Sequence, residues 1–301
     1  GVGQDDVAAL AAEHGAGTAL QNPPVGTGHA VMQAREALAD FAGDVLIVYG
    51  DTPLITPATL LAMIERRHDA DDPAVVVYGF RPDDPALYGR LVRNKQGHVT
   101  RIVEARDATK RQQAIKLCNG GAMVTDGAVL FDLLDATDND NAKGEYYLTD
   151  IVAAAVKRGR VCATVEGPEE DVMGVDHRAA LALAETRMQD RLRERAMAAG
   201  ATMTDPASVY LSADTQLGRD VAIEPNVFFG PGVTVGDGVT IKAFSHIEGA
   251  SIASGATVGP FARLRPGADL AEGARVGNFV EVKNAAIEAG EPRPTKLNFT
   301  M

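Results

Sequence analysis

Apolar residues recur every six positions from Leu217 to Val282, and this ladder predicts a parallel β-helix of hexapeptide repeats. Leu217, Ile223, Phe229, Val235, Ile241 and Ile247 keep the spacing; after one five-residue step Ile252, Val258, Leu264, Leu270, Val276 and Val282 resume it. Four places after each rung stands a small or β-branched residue: Val221, Val227, Val233, Val239, Ser245, Ser251, Ala256, Ala262, Ala268, Ala274 and Val280. Two columns therefore point inward together. Simple strand alternation has period two and does not generate this register over so many rungs. Gly218, Pro225, Gly230, Gly236, Gly259, Pro266, Gly267 and Gly277 supply the tight corners that a prism of short strands needs. A buried rung contributes about 1.5–3 kcal/mol, whereas ordering each backbone residue costs about 1–2 kcal/mol. Ladders between coils and packing against neighbouring chains must supply the remainder, so the pattern predicts an oligomer.

Upstream, apolar runs alternate with helical patterns, which predicts an α/β unit with a parallel sheet covered by helices. The run from Asp44 to Tyr49 reads as a buried central strand closed by Gly50-Asp51, which places Asp51 where ligands sit in such folds. Ala74 to Gly79 is a second strand, and residues 89–92 and 99–104 form a hairpin around Lys95-Gln96-Gly97. From Arg178 to Ala199 the spacing predicts a long helix with Leu181, Met188, Leu192 and Ala199 on one face and Gly200 as its C-cap. The expected organisation is a Rossmann-like α/β domain over 1–178, a linker over 179–204, the β-helix over 205–290 and a divergent tail over 291–301.

The formal charge of −12 argues against general binding to nucleic acid or anionic membranes. Cys118 and Cys162 lie far apart without metal-ligand spacing, which fits a reducing, cytoplasmic compartment. No apolar run approaches membrane-spanning length, and no signal peptide is expected. The opening Gly1-Val2-Gly3-Gln4 reads as a strand-to-helix turn, so the sequence is expected to be a fragment.

Three segments carry candidate chemistry. Gly26-Thr27-Gly28-His29-Ala30 follows a strand-like Ala19-Leu20-Gln21 and precedes a helical Val31–Ala39; it is either a backbone cradle for an anionic or polar ligand or a plain turn. Asp51 is either a magnesium ligand or a helix cap before Pro53. Gly144 to Asp150 offers tyrosine rings and Thr149 to a sugar, or simply caps the helix over 151–156; Asp176 faces the same two choices.

Taken in order, Gln21 with Gly26 to Ala30, Tyr49-Gly50-Asp51, Pro53-Leu54-Ile55, Tyr88-Gly89-Arg90, Ile102-Val103-Glu104, Asn119, Gly144 to Asp150 and Gly174-Val175 resemble one family. It is the bifunctional bacterial N-acetylglucosamine-1-phosphate uridyltransferase/glucosamine-1-phosphate N-acetyltransferase family. Gly259 to Gly267 and Val276 to Lys283 extend the resemblance into the repeats. It implies uridylyl transfer from UTP to N-acetylglucosamine 1-phosphate, giving a precursor of peptidoglycan and lipopolysaccharide. It also implies acetyl transfer from acetyl-CoA to glucosamine 1-phosphate on a left-handed β-helix that forms a homotrimer. Carried over, Asp51 and Asp176 bind Mg²⁺, and Gln21, Gly26 and Thr27 contact uracil. Tyr49, Gly89, Glu104, Asn119, Tyr147 and Thr149 line the sugar pocket, and Arg265 and Lys283 meet the sugar phosphate.

The sequence departs from the family pattern in four places. Asp176 stands for an asparagine, and Gly120 for a small hydroxyl residue beside Asn119. The phosphate-gripping loop expected before Gly1, and the histidine base and further coils expected after Gly290, are not in the sequence. The chain alone is therefore expected to be inactive. Two other readings remain: a single-activity sugar nucleotidyltransferase with a structural β-helix, and a non-catalytic sugar-nucleotide-binding assembly protein.

Overall fold

The computed structural model describes residues 5–39, 41–85, 87–141 and 143–289; the opening turn at Gly1–Gln4 and the tail beyond 290 lie outside them. The chain divides between Ala180 and Leu181 into two compact units.

The first unit contains α1 (Asp5–Glu13), α2 (Thr27–Met32), β1 (Asp44–Ile47), α3 (Pro57–Arg67), β2 (Val75–Phe80), β3 (Arg90–Arg93) and β4 (Val99–Val103). After these come α4 (Lys110–Gln113), β5 (Cys118–Asp126), α5 (Gly127–Leu134), α6 (Asp150–Lys157) and β6 (Cys162–Glu166). Local chemistry sets the helix starts. Thr56 caps α3 by accepting from the Thr59 amide at 3.2 Å, with Pro57 in the first turn, and Asp126 caps α5 through Ala128 N at 3.0 Å.

The sheet runs β4-β3-β5-β2-β6, with β1 beside β5. Every residue of β2 is buried. Val75 and Val77 pack on one face with Leu130, Leu133, Leu148 and Ile151; Val76, Tyr78 and Phe80 pack on the other with Met63, Val124 and Val172. A strand covered on both faces reads as a continuous apolar run.

Four expectations change here. The sheet is mixed, since only β2 and β6 pair in parallel among the described residues, and the other ladders are antiparallel. The run at Asp44 forms a four-residue, half-buried strand beside β5 instead of the central strand. An apolar run carries no signal for strand direction, and the central strand is β5, which lies between β3 and β2 and also pairs with β1. Ala19–Gln21 is not a strand, and the helix expected over 31–39 is a short one that already begins at Thr27, followed by turns.

At the start of β1, Arg67 is nearly buried among carboxylates. It reaches Asp72 at 2.7 Å, Asp126 at 3.1 Å and Asp44 at 3.6 Å, while His68 Nε2 lies 2.6 Å from Asp44. This ionic knot ties the end of α3 to β1 and β5.

The second unit opens with α7 (Arg178–Ala198), whose continuation past Ala180 packs on the repeats. Its buried face matches the expected one at Leu192 and, in part, at Met188, but not at Leu181 or Ala199. Leu181 and Leu183 are exposed, and the buried positions are Ala184, Gln189, Leu192 and Arg193. Gln189 exchanges two hydrogen bonds with the Leu211 backbone, at 2.7 and 2.9 Å, and Arg193 donates to Val209 O at 3.1 Å. Hydrogen bonding to open backbone therefore outweighs apolarity in setting this face. Gly200 follows the helix at φ +111°, as a C-cap requires.

The repeats form a parallel β-solenoid of three sheets, two of five strands and one of four. Strands one coil apart pair in register, as Thr240 with Ala222 and Arg263 with His246. The rungs and the small column together form one continuous core, with Leu217, Val280 and Ile287 only partly buried. Ser251 is the exception: it faces outward and Ala250 is buried in its place. Positions i and i−2 of a strand share a face, so the five-residue step before Ile252 moves the inward small residue back by one. Left-handed corners are filled by Asn226, Asn284 and several glycines, but also by Phe244, Phe261 and Phe279 at φ +55 to +60°. No helix among the described residues is long and apolar enough to cross a membrane.

Candidate active site

A cleft of about 470 Å³ opens on the first unit, lined by residues from several separate segments. It brings together Thr27, Tyr49, Asp51, Gly89, Glu104, Asn119, Tyr147 and Thr149, with Lys143, Tyr88, Asp107 and Val172 beside them. Gln21, Gly26 and Asp176 do not line it.

The Gly26–Gly28 turn is built for packing. Gly28 N donates to Tyr146 O at 2.8 Å, and Tyr146 N donates to Val25 O at 2.9 Å. A Cβ on Gly26 would lie 2.8 Å from Tyr146 N, and the residue sits at φ +115°. The glycine thus admits the neighbouring backbone. Thr27 completes the junction: its hydroxyl accepts from Leu148 N at 3.0 Å and bonds the Tyr49 side chain. Gln21 supports the same turn, with Nε2 2.9 Å from Gly26 O and 3.1 Å from His29 Nδ1.

Glu104 leaves the end of β4 half-buried. Burial holds its carboxyl above the ordinary carboxylate range; Lys143 and a Thr149 hydrogen bond pull it back, while Asp107 and Asp150 add to the rise. Burial likewise pushes the Tyr49 and Tyr147 phenols up, so both stay neutral hydroxyls at physiological pH. Asn119 sits one residue into β5, its backbone N–H on Gly89 O at 2.8 Å. Thr149 precedes α6 but makes no side-chain cap. Its contact is with Glu104. The arrangement offers carboxylates, with Glu104 half-buried among them, one amide and several hydroxyls between aromatic rings, which suits a polyhydroxylated ligand.

At the mouth, Val175 N donates to Asp51 O at 2.7 Å, which ties the Gly174–Asp176 segment to the turn carrying Asp51. Asp176 is 81% exposed, 3.7 Å from His177. Two carboxylates on adjoining segments are hard oxygen donors of the kind Mg²⁺ accepts alongside phosphate. Among the described residues no group of three or more His, Cys, Asp and Glu could hold a metal without such help.

Gly120 is explained by its neighbour, because a Cβ there would lie 2.5 Å from Tyr78 Cδ1. Gly121, Lys143 and Asp107 were not among the expected site residues, and Tyr88 entered only within the Tyr88-Gly89-Arg90 motif. A glycine pair inside an apolar strand run was the available signal for Gly121.

On the solenoid, Arg265 and Lys283 stand on adjacent coils, with Arg265 N donating to Val282 O at 2.9 Å. Arg265 Nη1 meets Glu281 at 3.1 Å, and its Nε is buried without a hydrogen-bond partner. Lys283 is exposed.

A model of a MobA-like NTP transferase domain matches residues 2–115, and one of the bacterial transferase hexapeptide (six repeats) matches residues 214–249. The bifunctional protein GlmU of Rhodospirillum rubrum is 61% identical over 201 residues, covering 67% of this chain and 45% of that protein. Its counterpart in Paramagnetospirillum magneticum is 57% identical over 273 residues, covering 91% of this chain and 61% of that protein. Over most of its length the chain is similar to the bifunctional GlmU proteins. The GlmU of Roseobacter denitrificans is 49% identical over 291 residues, 97% of this chain but 63% of that protein. The chain thus spans between 45% and 63% of the length of these GlmU relatives. The two matched models fall on different units, the nucleotidyltransferase type on the first and the hexapeptide type on the solenoid.

Proposed function

We propose that the first unit carries the sugar side of a uridylyl-transfer site, joining UTP and N-acetylglucosamine 1-phosphate into UDP-N-acetylglucosamine with release of pyrophosphate. The observation that carries this reading is the cleft itself, which gathers Tyr49, Gly89, Glu104, Asn119, Tyr147 and Thr149 from distant parts of the sequence. Asn119 and Thr149 hydrogen-bond the sugar, Glu104 accepts from its hydroxyls, and the Tyr49 and Tyr147 rings pack on its apolar edges. Gln21, Gly26 and Thr27 form the uracil side, where the first two act through the shape of the turn. Asp51 and Asp176 would hold Mg²⁺, which screens the phosphate charge so that a sugar-phosphate oxygen can approach the α-phosphate. The extra charge of Asp176, relative to a neutral amide, favours the divalent ion.

The solenoid is read as the acetyl-transfer half, taking acetyl-CoA and glucosamine 1-phosphate, with Arg265 and Lys283 facing the sugar phosphate. The buried, unpartnered Arg265 Nε supports an anionic ligand at that point. A homotrimer through the solenoid fits the exposed rings of Phe244, Phe261 and Phe279, which stack at 5.0 and 5.2 Å along one corner. Two free, buried cysteines are in keeping with a cytoplasmic setting.

Calorimetry with UDP-N-acetylglucosamine and Mg²⁺ tests the first-unit reading. Binding is expected, with weaker binding to ADP- or dTDP-sugars. Equal affinity for all three would favour a general sugar-nucleotide module. Light scattering of the purified chain tests the trimer.

A further inference from the structure

The strand β5 is irregular where it meets the cleft. Val77 pairs with Met123 and Gly79 with Asn119, so the single residue Tyr78 stands opposite Gly120, Gly121 and Ala122. Such bulges re-aim side chains near functional sites. Gly121 lies at the centre of this one. It adopts φ +87°, and a Cβ built on it would fall 2.6 and 2.7 Å from ring atoms of Tyr49. Its N–H donates to Asn119 Oδ1 at 3.1 Å. That bond fixes the amide of Asn119: with Oδ1 taken by the backbone, Nδ2 is left to donate into the cleft. Across the same cleft, Glu104 is an acceptor and Tyr49 is held at its hydroxyl by Thr27.

We propose that Gly121 is a positioning residue of the cleft, which seats the Tyr49 ring against its backbone and orients Asn119 as a hydrogen-bond donor. Without the glycine, either the ring moves out or the bulge flattens, and each change releases Asn119 to rotate. The cleft then selects a ligand that presents an acceptor oxygen to Asn119 and a donor hydroxyl to Glu104. The ligand assignment rests on the function proposed above; the positioning role does not.

Two measurements separate them. In glycine-labelled 301-residue chain, the Gly121 α-proton resonances are expected to be displaced by the Tyr49 ring current, and Tyr49→Leu is expected to abolish the displacement. Resonances at ordinary positions that ignore Tyr49→Leu would overturn the proposal. By calorimetry with UDP-N-acetylglucosamine, Gly121→Ala is expected to lose at least tenfold in affinity while circular dichroism stays that of the parent. Gly121→Asn tolerates the left-handed backbone but still carries a Cβ, so it is expected to lose affinity as well. Recovery of parental affinity in Gly121→Asn would place the effect in backbone strain and overturn the ring contact. If the parent chain does not bind UDP-N-acetylglucosamine, the ligand assignment fails, and the Gly121 resonances still decide the positioning role.

Discussion

The solenoid and the first unit solve the same packing problem with opposite kinds of information. In the solenoid each residue's neighbour lies one coil away, so a six-residue repeat specifies both core and register. In the first unit the cleft joins Thr27 to Leu148 and Asp51 to Val175, across much of the sequence. The difference teaches that a repeat distributes stability along a column, whereas a cleft concentrates function in a few junctions. Substitutions should reflect this division.

Leu264→Asp is expected to have the largest effect. Leu264 is fully buried in the solenoid core, and an unpaired charge there should cost about 4 kcal/mol or more. Urea unfolding of the β signal would measure it. A loss below about 1 kcal/mol would mean that the column is not continuous.

Arg67→Ala comes next, removing the partner of Asp44 and Asp126 at a site where the arginine side chain is only 8% exposed. Leaving Asp44 with His68 alone and Asp126 with only the more distant Arg160 should cost the first unit about 3 kcal/mol, read from its own denaturation curve.

Gly26→Ala should affect function as well as stability, because at φ +115° the new Cβ meets backbone. The new Cβ would press on the Tyr146 backbone and displace Tyr147 and Thr149 from the cleft. Affinity for UDP-N-acetylglucosamine should fall at least tenfold, equivalent to about 1.4 kcal/mol.

The smallest effect is a pH slope. Burial raises the Glu104 carboxyl in the folded unit, so the folded state holds a proton that the unfolded chain has already released. Its contribution to stability is therefore present below the ordinary carboxylate range and is lost as pH rises through the shifted titration. Glu104→Gln should remove this slope and leave the unit more stable near neutral pH, checked by unfolding at a series of pH values. An unchanged slope would assign it to other groups, Asp150 first, whose carboxyl is also raised by burial.

The same contrast explains what could be read from the chain beforehand. The ladder from Leu217 to Val282 is a local signal, and it specified the solenoid core except at Ser251, where the five-residue step shifts the inward place to Ala250. The direction of β1 was not legible, because an apolar run does not encode its pairing. The α7 face was legible only at Met188 and Leu192, since Gln189 and Arg193 are buried by hydrogen bonds to the Leu211 and Val209 backbone. In the cleft, Thr27, Asp51, Tyr147 and Thr149 stood in segments singled out by local pattern, whereas Gly89, Glu104 and Asn119 came from resemblance. Their supports, Gly121 and the Gly26–Tyr146 contact, depend on tertiary approach that no single segment contains.

The central claim is that the junctions around Asn119, Glu104 and Tyr49 form a sugar-nucleotide site. Titration calorimetry of the 301-residue chain with UDP-N-acetylglucosamine, in parallel with Asn119→Asp, tests it most directly. Saturable binding is expected of the parent, with at least a tenfold loss in Asn119→Asp, which replaces the donating amide with an acceptor. Equal binding by both proteins, or no binding by the parent, would contradict it.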